Sequence, residues 1–274
     1  MKSKLSFLLI ALLNIIITGE FIMPQTQNKN KTDDVIITVI YDNNQFQNGL
    51  TTDWGFACLA EVGKTKILFD TGDNGSILLN NMAKLNIDPE GIDIVVLSHF
   101  HHDHTGGLND FLKRNSKVTI YYPQSFPNEL IEKIKESGAK YFPVSSFREI
   151  IPNVFSLGEM GEAIPEQSMV IRSPNGLVVI TGCAHPGITN ILQKTIDQLP
   201  NETIYLALGG FHLHRLNEED INEFIQIISF LEIHTISPTH CSGNTTRKMF
   251  EDVYGADYLN VGAGKKIDIR KGVN

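Results

Sequence analysis

The chain has 274 residues, 42% of them hydrophobic and 20% charged, with 23 Lys+Arg against 31 Asp+Glu for a formal net charge of −8. This ordinary globular mixture excludes a disordered, collagen-like or coiled-coil protein, and the acidic balance argues against a duplex nucleic-acid binder. The 3 cysteines are too few for a disulfide framework, whereas four of the 9 histidines fall between residues 99 and 104.

Lys2 and Lys4 precede an uncharged apolar run, residues 5–19. That order of charge and apolar run reads as a signal peptide or an N-terminal anchor over residues 1–25. Glu20 closes the run, no small-x-small cleavage site follows, and residues 5–23 nearly reach spanning length. A polar tether, 26–34, comes next. These segments predict an exported protein whose membrane contact, if any, is through the N-terminal segment. From residue 35 to 274 there is no composition break, which predicts one domain. Strands are expected at 35–41, 55–62 and 66–69, then a helix at 76–85, a buried strand at 94–97 and a helix from Leu108. A strand at 118–122 and a helix at 128–137 follow. Strands at 154–157, 168–172 and 177–181 come next, the last two joined by Pro174-Asn175-Gly176, a turn signal. The chain then alternates: helix 188–199, strand 204–208, helix 218–231, strand 235–238, helix 244–253 and a short strand near Ile267. Both halves run from strands to helices, as two packed sheets with helices outside would.

The chemistry concentrates in Ser98-His99-Phe100-His101-His102-Asp103-His104-Thr105-Gly106-Gly107, directly after the strand at 94–97. In extended chain His99, His101 and Asp103 point one way and His102 the other, so His102 is read as structural or exposed. His104 joins the first set once the chain turns, and Gly106 and Gly107 permit that turn. Imidazole and carboxylate suit zinc and other first-row metals such as manganese or iron. Four such groups in six residues exceed what one ion needs from one loop, so two ions are expected. Four further strand ends deliver similar residues: Asp70 after 66–69, His185 after 177–181, His212 after 204–208 and His240 after 235–238.

At His99-x-His101-x-Asp103-His104, with Asp70-Thr71-Gly72 upstream and His185 and His240 downstream, the sequence resembles the metallo-β-lactamase fold superfamily. The resemblance implies an α+β fold, a four-layer αββα sandwich with a metal site between two sheet edges. It implies that His99, His101 and His185 hold a first metal, and Asp103, His104 and His240 a second. Asp70 would orient the ligands from behind, and zinc, as two ions, is the expected cofactor. Many members carry a bridging aspartate on the strand end before the last histidine. Here that place reads Gly209-Gly210-Phe211-His212, and His212 is the nearest substitute, as metal ligand or as substrate contact. The implied activity is hydrolysis by metal-activated hydroxide, with Asp103 and His212 catalytic and a small, anionic molecule as substrate. The motifs around His185, His212 and His240 resemble a branch that includes dihydropterin ribofuranosylaminobenzene phosphate synthase, so a transferase of that kind is the alternative. His214 and Arg215 meet a phosphate or form a solvated loop. Cys183 and Cys241 form a disulfide, touch a metal or pack, while Cys58 is a core thiol. In the overhanging segment 42–54, Phe46 and Trp54 line a substrate wall or anchor the loop.

Overall fold

Runs of buried β-branched and aliphatic residues ending in turns build two sheets in the computed structural model, which describes residues 34–271. The predicted leader and all but the last residue of the tether lie outside the described residues. Among the described residues no helix is long and apolar enough to cross a membrane.

The first half begins with β1 (Val35–Tyr41), β2 (Ala57–Val62) and β3 (Thr65–Phe69), paired antiparallel. It continues through α1 (Gly75–Lys84), β4 (Ile94–Val96), α2 (His102–Thr105), α3 (Leu108–Arg114), β5 (Thr119–Pro123), α4 (Asn128–Glu136) and β6 (Lys140–Val144). Strands β3 to β6 run parallel, because each is reached by a crossover that packs a helix on one face. The second half holds β7 (Arg148–Ile151), β8 (Val154–Ser156), β9 (Met169–Ser173), β10 (Gly176–Thr181), α5 (Ile188–Gln198), β11 (Ile204–Gly210), α6 (Glu218–Ser229), β12 (Thr235–Thr239) and α7 (Asn244–Tyr254). Strand β13 (Lys266–Asp268) returns to pair with β1. The sheets have orders β13-β1-β2-β3-β4-β5-β6 and β12-β11-β10-β9-β8-β7.

The strands are apolar on both faces because both faces are covered. Between the sheets lie Ile37, Val39, Cys58, Ile67 and Val96 from one and Ile171, Val178, Ile180, Leu206 and Leu208 from the other. On the outer face of the first sheet Leu78, Met82, Phe111 and Ile134 cover Leu59, Leu68, Val95 and Ile120. On the outer face of the second, Ile191, Leu192, Ile225, Ile228 and Phe250 cover Val170, Val179, Ala207 and Ile236. The layers are helix, sheet, sheet, helix, the expected αββα sandwich. Each fully buried Leu, Ile or Val adds about 1.5–3 kcal/mol, and the burial fixes both sheets rigidly enough to carry a site at their shared edge.

Two strands were not expected, β6 and β7. Both are edge strands. β6 is mostly exposed and contains Pro143, and β7 starts with the exposed pair Arg148-Glu149. An edge strand tolerates proline and charge because one side of its ladder is unpaired. The extended reading of the histidine tract also fails beyond His101. The backbone enters a helical turn at His102–Thr105, so Asp103 and His104 reach the site from a helix and not by strand alternation.

Candidate metal centre

Strands β3, β4, β10, β11 and β12 all end at one edge, and the residues just past those ends converge. This is where parallel strands place binding groups, outside their carboxyl ends. His99 and His101 leave β4, and His185 comes from the loop between β10 and α5. Their ligating nitrogens lie within 4.8 Å of one another. His99 Nε2 faces His101 Nδ1 at 3.1 Å, and the His185 ring centroid is 4.8 Å from both the His99 and His101 ring centroids. Beside them Asp103, His104, Cys183 and His240 form a second group with the same 4.8 Å span. The two groups touch, since the rings of His99 and His104 are 4.2 Å apart.

His104 and His240 are held from behind. Asp70 is fully buried at the end of β3. Its Oδ1 accepts the Ser98 N–H at 2.7 Å, and its Oδ2 accepts the Ser98 hydroxyl and His104 Nδ1–H, both at 2.7 Å. That proton on Nδ1 leaves His104 Nε2 as a bare lone pair. Asn43 does the same for His240, accepting its Nδ1–H at 3.0 Å. Such partners fix tautomer and ring orientation in metal sites. Burial first, then the neighbouring histidines His212, His101 and His104, bring His185 down to about 3 against the opposing charge of Asp103. Burial likewise brings His240 down to about 4, against the opposing hydrogen bond to Asp103. Burial first, then the charges of His104, His185 and His101, hold His99 well below its usual value. For His101 burial again lowers the value. Burial would raise Asp103, but the His240 hydrogen bond and the charges of His104 and His240 pull it below the usual carboxylate range. Burial would lower His104, yet the charge and hydrogen bond of Asp70 raise it. His99, His101, His185 and His240 are therefore favoured as neutral imidazoles and Asp103 as an ionised carboxylate, the forms that bind metal, whereas His104 holds its proton more strongly beside Asp70.

The loop carrying Cys183 and His185 is clamped by Glu166, a residue sequence reasoning missed. Its buried carboxylate accepts the N–H groups of Gly182 at 3.0 Å, Cys183 at 3.0 Å, Ala184 at 2.9 Å and His185 at 2.9 Å. The next residue, Gln167, donates from Nε2 to the Leu97 and Tyr121 carbonyls at 2.8 and 3.3 Å, and its backbone N–H reaches the Ser98 carbonyl at 2.9 Å. These bonds tie the approach to β9 in one sheet to β4 and β5 in the other, at the cleft itself. The sequence signal was slight: an acid and an amide just before a buried strand, where a buried charge needs partners.

Around the mouth, His212 is exposed, with its ring 4.3 Å from that of His185. Burial, then His214 and Arg215, lower its pKa. His214 donates from Nδ1 to the Cys241 carbonyl at 2.9 Å and accepts from Arg215 Nε at 3.2 Å. Trp54 leans over His240, with ring centroids 4.8 Å apart, and meets His214 edge-on at 5.9 Å. Phe46 lies beneath Lys265 Nζ. His102 is exposed and hydrogen-bonds Asp73 at 2.7 Å. His234 pairs with the Thr235 hydroxyl, away from the cleft. No disulfide joins Cys183 and Cys241, which are free and buried, as is Cys58.

The residues fit a metal on their own evidence. His185 Nε2 is buried with no hydrogen-bond partner, and it belongs to the first donor group. A buried polar atom left unpaired costs about 1–3 kcal/mol, which a coordinated cation would recover.

Comparison with known proteins agrees with the fold. The chain is 29% identical to the 7,8-dihydropterin-6-methyl-4-(beta-D-ribofuranosyl)-aminobenzene-5'-phosphate synthase of Methanocaldococcus jannaschii, over 88% of this chain and 98% of that protein. Among solved structures, Tm1679, a metal-dependent hydrolase of the beta-lactamase superfamily, superposes with a TM-score of 0.73 at 28% identity, covering 86% of this chain and 99% of that one. The metallo-beta-lactamase fold protein YhfI of Bacillus subtilis shares the fold at a TM-score of 0.65 and 17% identity, over 85% of this chain and 99% of that one. The sequence profile of the Metallo-beta-lactamase superfamily matches residues 55–240. The chain belongs to the metallo-beta-lactamase superfamily.

Proposed function

We propose that this protein is a metal-dependent hydrolase of a small anionic substrate, working with two zinc ions. The observation that carries the reading is the pair of touching donor groups, His99/His101/His185 and Asp103/His104/Cys183/His240, at the open edge between the sheets. Divalent ions held there supply Lewis acidity and activate water at neutral pH. The chain's own part is positional. Asp70 and Asn43 keep the Nε2 lone pairs of His104 and His240 aimed inward. Glu166 holds the His185 loop. Trp54 lies over His240 as an apolar wall, and His212 with Arg215 offers hydrogen bonds and positive charge to an anionic group at the mouth. The apolar run at 5–19 supports placing this chemistry outside the cytoplasm.

The test is a screen of phosphoesters, lactones, thioesters and β-lactams with zinc-loaded and chelated protein. Turnover that disappears with chelation supports the reading, and full turnover without metal contradicts it. His212→Ala is expected to keep its metal and lose roughly 100-fold or more in rate, the scale of a positioned acid–base group. Loss of metal in that variant would place His212 in the coordination set instead.

The similarity to the archaeal synthase, which spans nearly all of that protein, favours a second reading, a condensing transferase on a dihydropterin. Incubation with a dihydropterin pyrophosphate and a ribofuranosylaminobenzene phosphate decides it. A condensed product supports the transferase, and its absence with metal bound removes it.

A further inference from the structure

The second donor group contains a thiol. Cys183 Sγ lies 3.2 Å from His104 Nε2, and Asp103 Oδ2 lies 3.1 Å from His240 Nε2 and 3.5 Å from His104 Nε2. All four donor atoms fall within 4.8 Å of one another, the spread expected around one ion with bonds of about 2.0–2.3 Å. Asp70 and Asn43 occupy the Nδ1 protons of the two imidazoles. His104 Nε2 therefore faces the Cys183 sulfur and the Asp103 carboxylate, and His240 Nε2 faces the same carboxylate, a set of four donor atoms that one cation would bridge.

An independent observation comes from Gly210, on the strand end where many members of the superfamily carry a bridging aspartate. A Cβ there would stand 2.4 Å from the Gly182 carbonyl oxygen, 2.5 Å from Cys241 Sγ and 3.1 Å from Cys183 Cα. The strand end has no room for a carboxylate side chain, because the Gly182–Cys183 backbone and the Cys241 thiol fill that volume. Cys241 Sγ lies 3.6 Å from the Cys183 carbonyl, and the Cys183 N–H is fixed by Glu166. Cys183 is thus a rigidly placed thiol beside a strand end that cannot supply a carboxylate of its own.

We propose that Cys183 is a thiolate ligand of the second metal, standing in for the absent aspartate and biasing that position toward zinc or cobalt over manganese or magnesium. The bias follows from the softness of sulfur as a donor. The proposal rests on the metal-centre reading above.

The test is cobalt(II) loading of the full chain, followed by absorption spectroscopy and metal analysis. The expected result is a near-ultraviolet sulfur-to-cobalt charge-transfer band that is lost in Cys183→Ser and retained in Cys241→Ser and Cys58→Ser. X-ray absorption of the zinc-loaded unaltered chain should show a sulfur scatterer at about 2.3 Å, which keeps the proposal testable if Cys183→Ser does not fold. Cobalt bound without the band, zinc bound without a sulfur scatterer, or a band that survives in Cys183→Ser overturns it. Metal bound without sulfur overturns the role of Cys183 alone, whereas no binding at all overturns the metal centre with it.

Discussion

At the site, four residues sit on backbone that L-residues avoid: Asp70, Ala184, His212 and His240 have φ of 57°, 58°, 56° and 49°. Each lies just past a strand end, where the chain must reverse to aim side chains into the cleft. Left-handed backbone costs roughly 1–2 kcal/mol per non-glycine residue, and such strain gathers where function requires a particular direction. No propensity signal announces it. The ligands themselves were legible, because His-x-His-x-Asp-His is a dense local pattern. Glu166 and Asn43 were not, because their partners lie far along the chain. The reason for Gly106 and Gly107 also differs from the expected one. Their φ values of −61° and −77° suit any residue. A Cβ on Gly106 would stand 2.0 Å from the Asp73 carbonyl oxygen, and one on Gly107 2.2 Å from that of Thr71. Close approach of the histidine turn to the Asp70 loop, rather than a sharp turn, demands glycine. The depressed histidines make a pH prediction. His185 titrates at about 3 in the metal-free fold but at about 6.5 when unfolded. Between those values the unfolded chain binds the extra proton, so this contribution is present above about 6.5 and lost as pH falls toward 3. His185→Gln removes it. Urea unfolding of both metal-free proteins should therefore show wild type gaining on the variant as pH rises from about 4 to about 7. A pH-independent difference would contradict the assigned environment.

Among the elements, the loop from β10 to α5 depends on one side chain. Glu166→Ala leaves four backbone N–H groups without their acceptor. At about 1–3 kcal/mol for each buried unpaired group, partly relieved by entering water, the expected loss is about 3 kcal/mol or more. Denaturant unfolding with an unchanged m-value measures it, and a loss below about 1 kcal/mol would mean the clamp is dispensable. Long, buried elements were readable from sequence because their apolar runs are bounded by glycine and proline, as for β10, α5 and β11. The edge strands β6 and β7 were not, since exposure removes the apolar pattern that marks a strand. The helical turn at His102–Thr105 was hidden for a different reason. Its direction is set by contacts to the Asp70 loop, where Thr71 N–H and hydroxyl both donate to the His104 carbonyl at 2.8 and 3.0 Å.

The two halves of the molecule each supply part of the centre: β3 and β4 bring Asp70, His99, His101, Asp103 and His104, while β10 and β12 bring Cys183, His185 and His240. Neither half forms a complete donor group alone, so the sandwich and the metal site stabilise each other. Metal that binds only the folded state adds to stability by mass action. The central claim is that this edge binds two divalent ions, one in each group. Calorimetric titration of the metal-free chain with zinc tests it most directly. Two equivalents are expected in wild type and one each in His185→Ala and His240→Ala, with the fold retained by circular dichroism. No binding in wild type, or an undiminished two equivalents in both variants, would contradict it.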